Sequence, residues 1–286
     1  MSVVQITNGK APAVAKRAAQ RDWLFIAALI VFGVIALAAL LGPWIAPYDP
    51  YALSGEVNGA ASPDHLFGTD DLGRDILSRV LVGAQASVFA PIAVVILSTV
   101  LGVAFALIGA WFGGWVSGTI ARIIDVIFAI PGLVVAVLAV AMFGKGLVAP
   151  IVALSIAYIP VVARLSQTAA SRELGKPYVA ALRVQGVSSW AILLRHLLPA
   201  MVPIVAAQMA IGFGYSMLDL AAISFLGLGQ QPPAPDWGSM ISTGQAGITA
   251  GAPEQSVFPA ILVVITVLAV GIIGARVTVW AEEKDA

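Results

Sequence analysis

Between Arg79 and Arg122 the chain carries no charged side chain, a run of 42 residues from Val80 to Ala121. As one α-helix this run would be roughly 63 Å long at about 1.5 Å per residue. That is twice the roughly 30 Å hydrocarbon core of a bilayer, so the segment must turn, and Gly113-Gly114 is the natural place. Trp23 to Tyr48 is also uncharged and reads as a first span, 23–48. Its 26 uncharged residues exceed a signal-peptide core of about 7–15, so an uncleaved anchor is expected. Further spans are expected at 85–111, 119–142, 147–169, 200–225 and 257–279. The fold class expected is all-α: a polytopic membrane protein with six transmembrane helices.

Composition agrees. Hydrophobic residues make up 60% and charged residues 10%, where a soluble domain carries about 25% charged. A formal net charge of zero lacks the basic stripe of a nucleic-acid binder. Without cysteine there are no disulfides, zinc-thiolate sites or iron–sulfur clusters. G-x-x-x-x-G-K-[ST], H-E-x-x-H and G-x-S-x-G are all missing from the sequence, so no enzyme chemistry of those kinds is expected. No bound cofactor or metal is expected either.

Orientation follows from lysine and arginine placement. With the N-terminus inside, the cytoplasmic segments and span ends hold Lys10, Lys16, Arg17, Arg21, Arg122, Arg164, Arg172, Lys176, Arg183, Arg195, Arg276 and Lys284, and only Arg74, Arg79 and Lys145 fall outside. The expected layout is a frayed cytoplasmic tail at 1–22, an extracytoplasmic loop at 49–84, a five-helix core at 85–280 and a cytoplasmic tail at 281–286. Within the core, 171–199 is cytoplasmic and 226–256 extracytoplasmic.

The island SRELGKPYVAALRVQGVSSWAILLRHLLP, residues 171–199, is built for docking. Pro177 suits the first turn of a helix, which carries Tyr178, Ala181 and Leu182 on one side and stops at Gly186. Ser188 or Ser189 can cap a second helix, with Trp190, Leu193, Leu194, Leu197 and Leu198 as its apolar stripe. Arg183 and Arg195 are left for water or a partner.

This segment resembles the cytoplasmic coupling loop of bacterial ABC-importer permeases, in the form used by the dipeptide/oligopeptide/nickel branch. Tyr178, Val179, Ala181, Arg183, Gly186, His196, Leu198 and Pro199 stand at matching places. Ala180 replaces the family's usual glutamate and Leu182 its alanine. Two other stretches are similar to the same branch. One is GTDDLGRDILSR, residues 68–79, with Gly68, Thr69, Asp70, Gly73, Arg74 and Asp75. The other is SFLGLGQQPPAPDWGSM, residues 224–240, with Phe225, Gly227 and Gly229, a form similar to the C-type subunit.

The resemblance implies the type I permease fold and no enzymatic activity in this chain. It implies a heterodimer with a second permease, two ATPase subunits that hold ATP and Mg, an extracytoplasmic solute-binding protein, and a bacterial inner membrane. Residues Tyr178, Ala181, Arg183, Gly186, Arg195, His196 and Pro199 would then couple to the ATPases. The substrate expected is a dipeptide or oligopeptide, with nickel as the alternative. From the residues themselves, an ion-coupled secondary transporter or a non-transporting scaffold stays open.

Taken on its own chemistry, the 65–88 stretch reads as a helix entering span two, with Thr69 or Asp70 as N-cap, or as a surface for a delivery protein. The prolines after Gly229 read as a stiff external connector or part of an outer gate. Arg122 and Asp125 are expected to pair along one helix face, and Arg164 to snorkel to the surface. Asp219 shows no obvious partner and is the candidate for lining a polar path. The glycines 109, 113, 114 and 118 are spaced for close helix approach, or serve only the turn they flank.

Overall fold

The structure, a computed structural model, describes residues 11–53 and 56–285, with side chains from 23–53 and 56–280. Residues 1–10 of the expected tail and Ala286 lie outside the described residues. Helix α1 (Ala11–Ile45) contains the first span, and the backbone of 11–22 continues it as helix instead of fraying.

Helix α2 (Ile76–Phe112) begins nine residues before the expected 85. Its N-cap is Asp75, whose carboxylate accepts a hydrogen bond from the Ser78 N–H at 2.7 Å. Neither Thr69 nor Asp70 caps it, because Gly73 between them and the helix has φ +76° and no α-helix runs through that conformation. Gly113 ends α2, and α3 (Gly114–Phe128) starts at once, so the long uncharged run turns where expected. Beyond it the expected third span is broken. Helices α3 and α4 (Gly132–Phe143) meet at 76°, since Pro131 lacks an N–H and keeps Ile130 out of the helical region.

Helix α5 (Val148–Leu174) packs along α2. The two come so close that a Cβ on Gly102 would lie 2.8 Å from Val162 Cβ. No such contact occurs at Gly113, Gly114 or Gly118, where a Cβ would meet open space. Gly113 and Gly114, at φ +58° and +46°, serve the turn.

Short α6 (Pro177–Val184) and α7 (Ser189–Ile192) follow. A π-helical turn, Leu193–Leu197, then joins α7 without interruption to α8 (Leu198–Phe225). The second helix of the island is therefore the start of span five. Its stripe also differs from expectation. Ile192, Leu193 and Leu197 are buried while Trp190 and Leu194 are exposed, because a π-turn shifts the face by one residue. Helices α9 (Trp237–Thr243), α10 (Gln245–Ala250) and α11 (Glu254–Asp285) complete the described chain.

Among the described residues five helices are long and apolar enough to cross a membrane, or six when the bent α3–α4 pair counts as one span. The core is strung along α2. At its first turns Ile76 and Val80 pack with Met240. Midway, Val88 and Val95 meet Phe213, Met217, Trp237, Val263 and Val270, with Ile35 and Ala39 of α1 behind them. At the far end Val103 and Leu107 meet Val162, Val179, Ile192 and Leu197. Residues 65–75 and the 171–199 island thus sit at opposite ends of one helix about 55 Å long. Large exposed side chains such as Leu37, Val100 and Leu268 suit lipid or neighbouring subunits rather than water.

Candidate functional site

At the island end, Pro177 opens α6 and Gly186 closes it with φ +76°. The Val187 N–H donates to Leu182 O at 3.1 Å and the Gly186 N–H to Arg183 O at 3.1 Å, a glycine-terminated helix end. Ser188 is the cap of α7, accepting from the Ala191 N–H.

Val179 is the buried anchor of α6. The Tyr178 hydroxyl donates to Glu173 Oε1 at 2.7 Å, and Lys176 Nζ lies 2.7 Å from Glu173 Oε2. Partial burial, with the hydrogen bond to Glu173 and its charge, pushes the Tyr178 phenol up to about 12. The ring of Tyr178 lies 6.3 Å from that of His196. Ala181, Arg195 and Pro199 are exposed and His196 is half-buried.

Arg183, left for water or a partner, is exposed, and its guanidinium carbon stands 4.4 Å from the centre of the Trp111 ring. Sequence reasoning also missed Glu173 as the partner of Tyr178. Trp111 comes from the end of α2, which no local spacing signals, whereas Glu173 is five residues before Tyr178 at the end of α5.

At the opposite end Asp70 is fully buried. One carboxylate oxygen accepts from the N–H groups of Leu72 and Arg74, both at 2.9 Å. The other accepts from Arg74 Nε at 2.7 Å. Arg79 Nε approaches that second oxygen to 3.2 Å, an ion pair without hydrogen-bond alignment. An Arg79 amino group then reaches Pro50 O at 2.9 Å and Pro233 O at 3.4 Å. Asp75 caps α2 and holds His65 Nδ1 at 2.9 Å.

Thr69 accepts from the Gly59 N–H at 2.8 Å and donates to Glu56 O, while Gly68 and Gly73 take the positive-φ turns of the loop. All six residues of the 68–75 motif are therefore parts of one clamp joining three loops. Arg79, at the end of the quoted stretch, is its link to Pro233.

The 224–240 segment closes on the same end. Phe225 is the last residue of α8, Gly227 turns the chain at φ +74°, and Gly229 lies against Ser224. Trp237 is buried, its indole N–H donating to Val80 O at 3.0 Å and its backbone N–H to Ser87 Oγ at 2.9 Å. Asp236 caps α9 through the Gly238 and Ser239 N–H groups. The prolines are thus pinned at both edges.

Within the spans, Asp125 pairs with Arg164 of α5, not with Arg122. Arg164 also covers the Phe128 ring at 4.7 Å, so it bridges α3 and α5 rather than simply snorkelling. Arg164 is half exposed and Asp125 more than half, so this pair contributes little to stability. Asp219 does have a partner: the Tyr158 hydroxyl donates to it at 2.8 Å.

The geometry describes a bundle of membrane-length helices with an island of two short helices at one end and a pinned loop clamp at the other. Residues 98–284 match the family described as binding-protein-dependent transport system inner membrane component, and 16–63 match the N-terminal TM domain of oligopeptide transport permease C. The chain is 38% identical over 261 residues to the Glutathione transport system permease protein GsiD of Escherichia coli (strain 536), and to that of Shigella boydii (strain Sb227). Each alignment covers 91% of this chain and 86% of the relative.

Two inward-facing structures of the MetNI methionine ABC transporter share the fold, with TM-scores of 0.55 and 0.56 at 20% identity. They cover 71% of this chain and 95% and 96% of theirs.

The class so defined is the permease subunit of an ABC importer: a multi-pass inner-membrane transport protein, not an enzyme, that works with other ABC components. The chain belongs to the family of inner-membrane components of binding-protein-dependent transport systems, on its oligopeptide side.

Proposed function

We propose that this chain forms half of the translocation pathway of a peptide importer, paired with a second, different permease. Two ATPase subunits carrying ATP and Mg dock on the 171–199 island, and an extracytoplasmic solute-binding protein delivers the substrate. The observation that carries the proposal is the continuity of the island with the spans. Val179 and Ile192 are buried against α2 and α5, and α7 runs through the π-turn into α8, so movement of the island moves membrane helices.

ATP binding closes the ATPases, the 177–198 segment moves with them, and the pathway turns outward; hydrolysis resets it. The coupling is limited by the difference in ATPase contacts between the two states. Tyr178, Ala181, Arg183, Gly186, Arg195, His196 and Pro199 form the coupling surface. Residues 68–75 present the outer face to the delivery protein, and Asp219, Phe225, Gly227 and Gly229 belong to the pathway and its outer gate. Both termini lie in the cytoplasm, as the twelve-to-three division of lysine and arginine favours.

Peptide is the substrate class because the relatives are named for transport of glutathione, a tripeptide, and the first span matches a family named for oligopeptide permeases. Proteoliposomes holding the whole assembly test this. ATP-dependent uptake of small peptides is expected; uptake of nickel and not of peptides would contradict it. Single cysteines at Ser188 and Ala250 test the orientation. They should label from the inside and outside respectively, and the reverse pattern would invert the map.

A further inference from the structure

Helix α8 uses two sides. Phe213 and Met217 point into the cluster shared with α1 and α11. At about 100° per residue the opposite side carries Ile211, Tyr215 and Leu218, all exposed, Tyr215 by 62%. Asp219 stands half-buried at the edge of that open side, next to α5, where the Tyr158 hydroxyl reaches it. Tyr215 stands four residues before Asp219 on the same helix, one turn away on a neighbouring face.

Asp219 lies six residues before the end of α8, and Tyr158 ten residues after the start of α5. The group therefore sits roughly 9–15 Å below the outer end of the bundle. Beside Tyr158 a small cavity of about 10 Å³ is lined by Ser98, Thr99 and Gln208 among others, room for one water.

No lysine, arginine or histidine among the described residues forms an ion pair with Asp219. An ionisable group at this depth that faced lipid would be costly, and such groups in spans mark pathways. The side it occupies is turned away from α1 and α11, which leaves it free to face a second permease chain.

We propose that Asp219, oriented by Tyr158 and flanked by Tyr215, receives the charged amino group of the substrate as it passes between the two permease chains. This rests on the peptide reading above. A carboxylate without its own cation gains most from a cation brought by the substrate. Two tyrosines beside it supply ring faces for the same ammonium, and the Tyr215 hydroxyl is left for the peptide bond.

The test uses the complete reconstituted assembly with its binding protein saturated by either a dipeptide or the N-acetyl form of that dipeptide, so that delivery does not limit the comparison. The native assembly should move the free-amine peptide about tenfold faster than the acetylated one, the size expected for one charge-assisted hydrogen bond. Asp219→Asn should remove that preference while acetylated peptide still enters, and Asp219→Glu should restore it.

An unchanged preference in Asp219→Asn overturns the site and leaves the peptide reading standing. Uptake of neither peptide by the native assembly overturns the peptide reading and this inference with it. If Asp219→Asn does not assemble, Tyr158→Phe decides. A reduced preference supports the site, and a native-like preference overturns it.

Discussion

Arg183 lies over Trp111, with 4.4 Å between the guanidinium carbon and the ring centre. The pair ties the last turn of α6 to the last turn of α2. A contact of this kind is worth about 0.5–2 kcal/mol, enough to hold a two-turn helix in register with α2. Trp111→Leu should leave insertion intact and lower substrate moved per ATP hydrolysed by about twofold or more, while Trp111→Phe keeps most of the coupling. Native coupling in the leucine variant would show that Val179 and Ile192 suffice as anchors.

Gly186 is needed for its conformation alone. A Cβ there would meet nothing within 4 Å, yet φ is +76°. A side chain in this region costs about 1–2 kcal/mol, and a β-branched one more. Gly186→Val should therefore lower ATPase stimulation and uptake together, with Gly186→Asn milder because asparagine tolerates this region. Equal, native-like transport in both variants would remove the hinge from the account.

Asp70 holds two buried guanidinium groups. Removing its charge leaves them uncompensated, a change that costs about 3–5 kcal/mol for a buried pair. Asp70→Asn should lower the thermal denaturation midpoint in detergent markedly and loosen the 49–53 and 230–236 loops to proteolysis. A midpoint equal to that of the native chain would mean the loops are held by Trp237 and not by the clamp.

Asp236 gives a pH signature. Burial raises its carboxyl above the ordinary aspartate value of 3.8, and the cap bonds to Ser239 and Gly238 only partly oppose this. Its Oδ2 is buried beside Ser224 without an aligned hydrogen bond. A folded-state pKa raised above the unfolded one means that ionisation costs the fold. The penalty is absent below the unfolded value and sets in as pH rises through the folded one. Asp236→Asn keeps the cap and drops the charge. Its denaturation midpoint should match the native one in acid and exceed it near neutrality; a gap of the opposite sign would contradict the assignment. Asp236→Ala should sit about 1 kcal/mol below Asp236→Asn throughout.

The uncharged runs made the spans legible, and their excess length located the turn at Gly113-Gly114, because a bilayer sets a hard limit on helix length. Gly186, Pro177 and Ser188 were legible because caps are local chemistry. Pro131 carried the signal for the broken third span, but hydropathy averaged across it. The π-turn at Leu193–Leu197 leaves no periodic trace, since it moves the apolar face by a single residue, and this misplaced Trp190 and Leu194. Partners were the least legible. Asp125 finds Arg164 39 residues away, and Asp219 finds Tyr158 61 residues away, pairings decided by which helices pack together.

The proposed nucleotide-hydrolysing partner would work this membrane subunit through its island. The chain has no native cysteine, and Ala181 is exposed on α6. A single cysteine in place of Ala181, paired with single cysteines across the facing surface of the ATPase subunit, tests the contact directly by cross-linking in the assembled complex. Cross-links whose yield changes between nucleotide-free and ATP-bound states are predicted. Their absence at every position, in an assembly that still transports, would contradict the account.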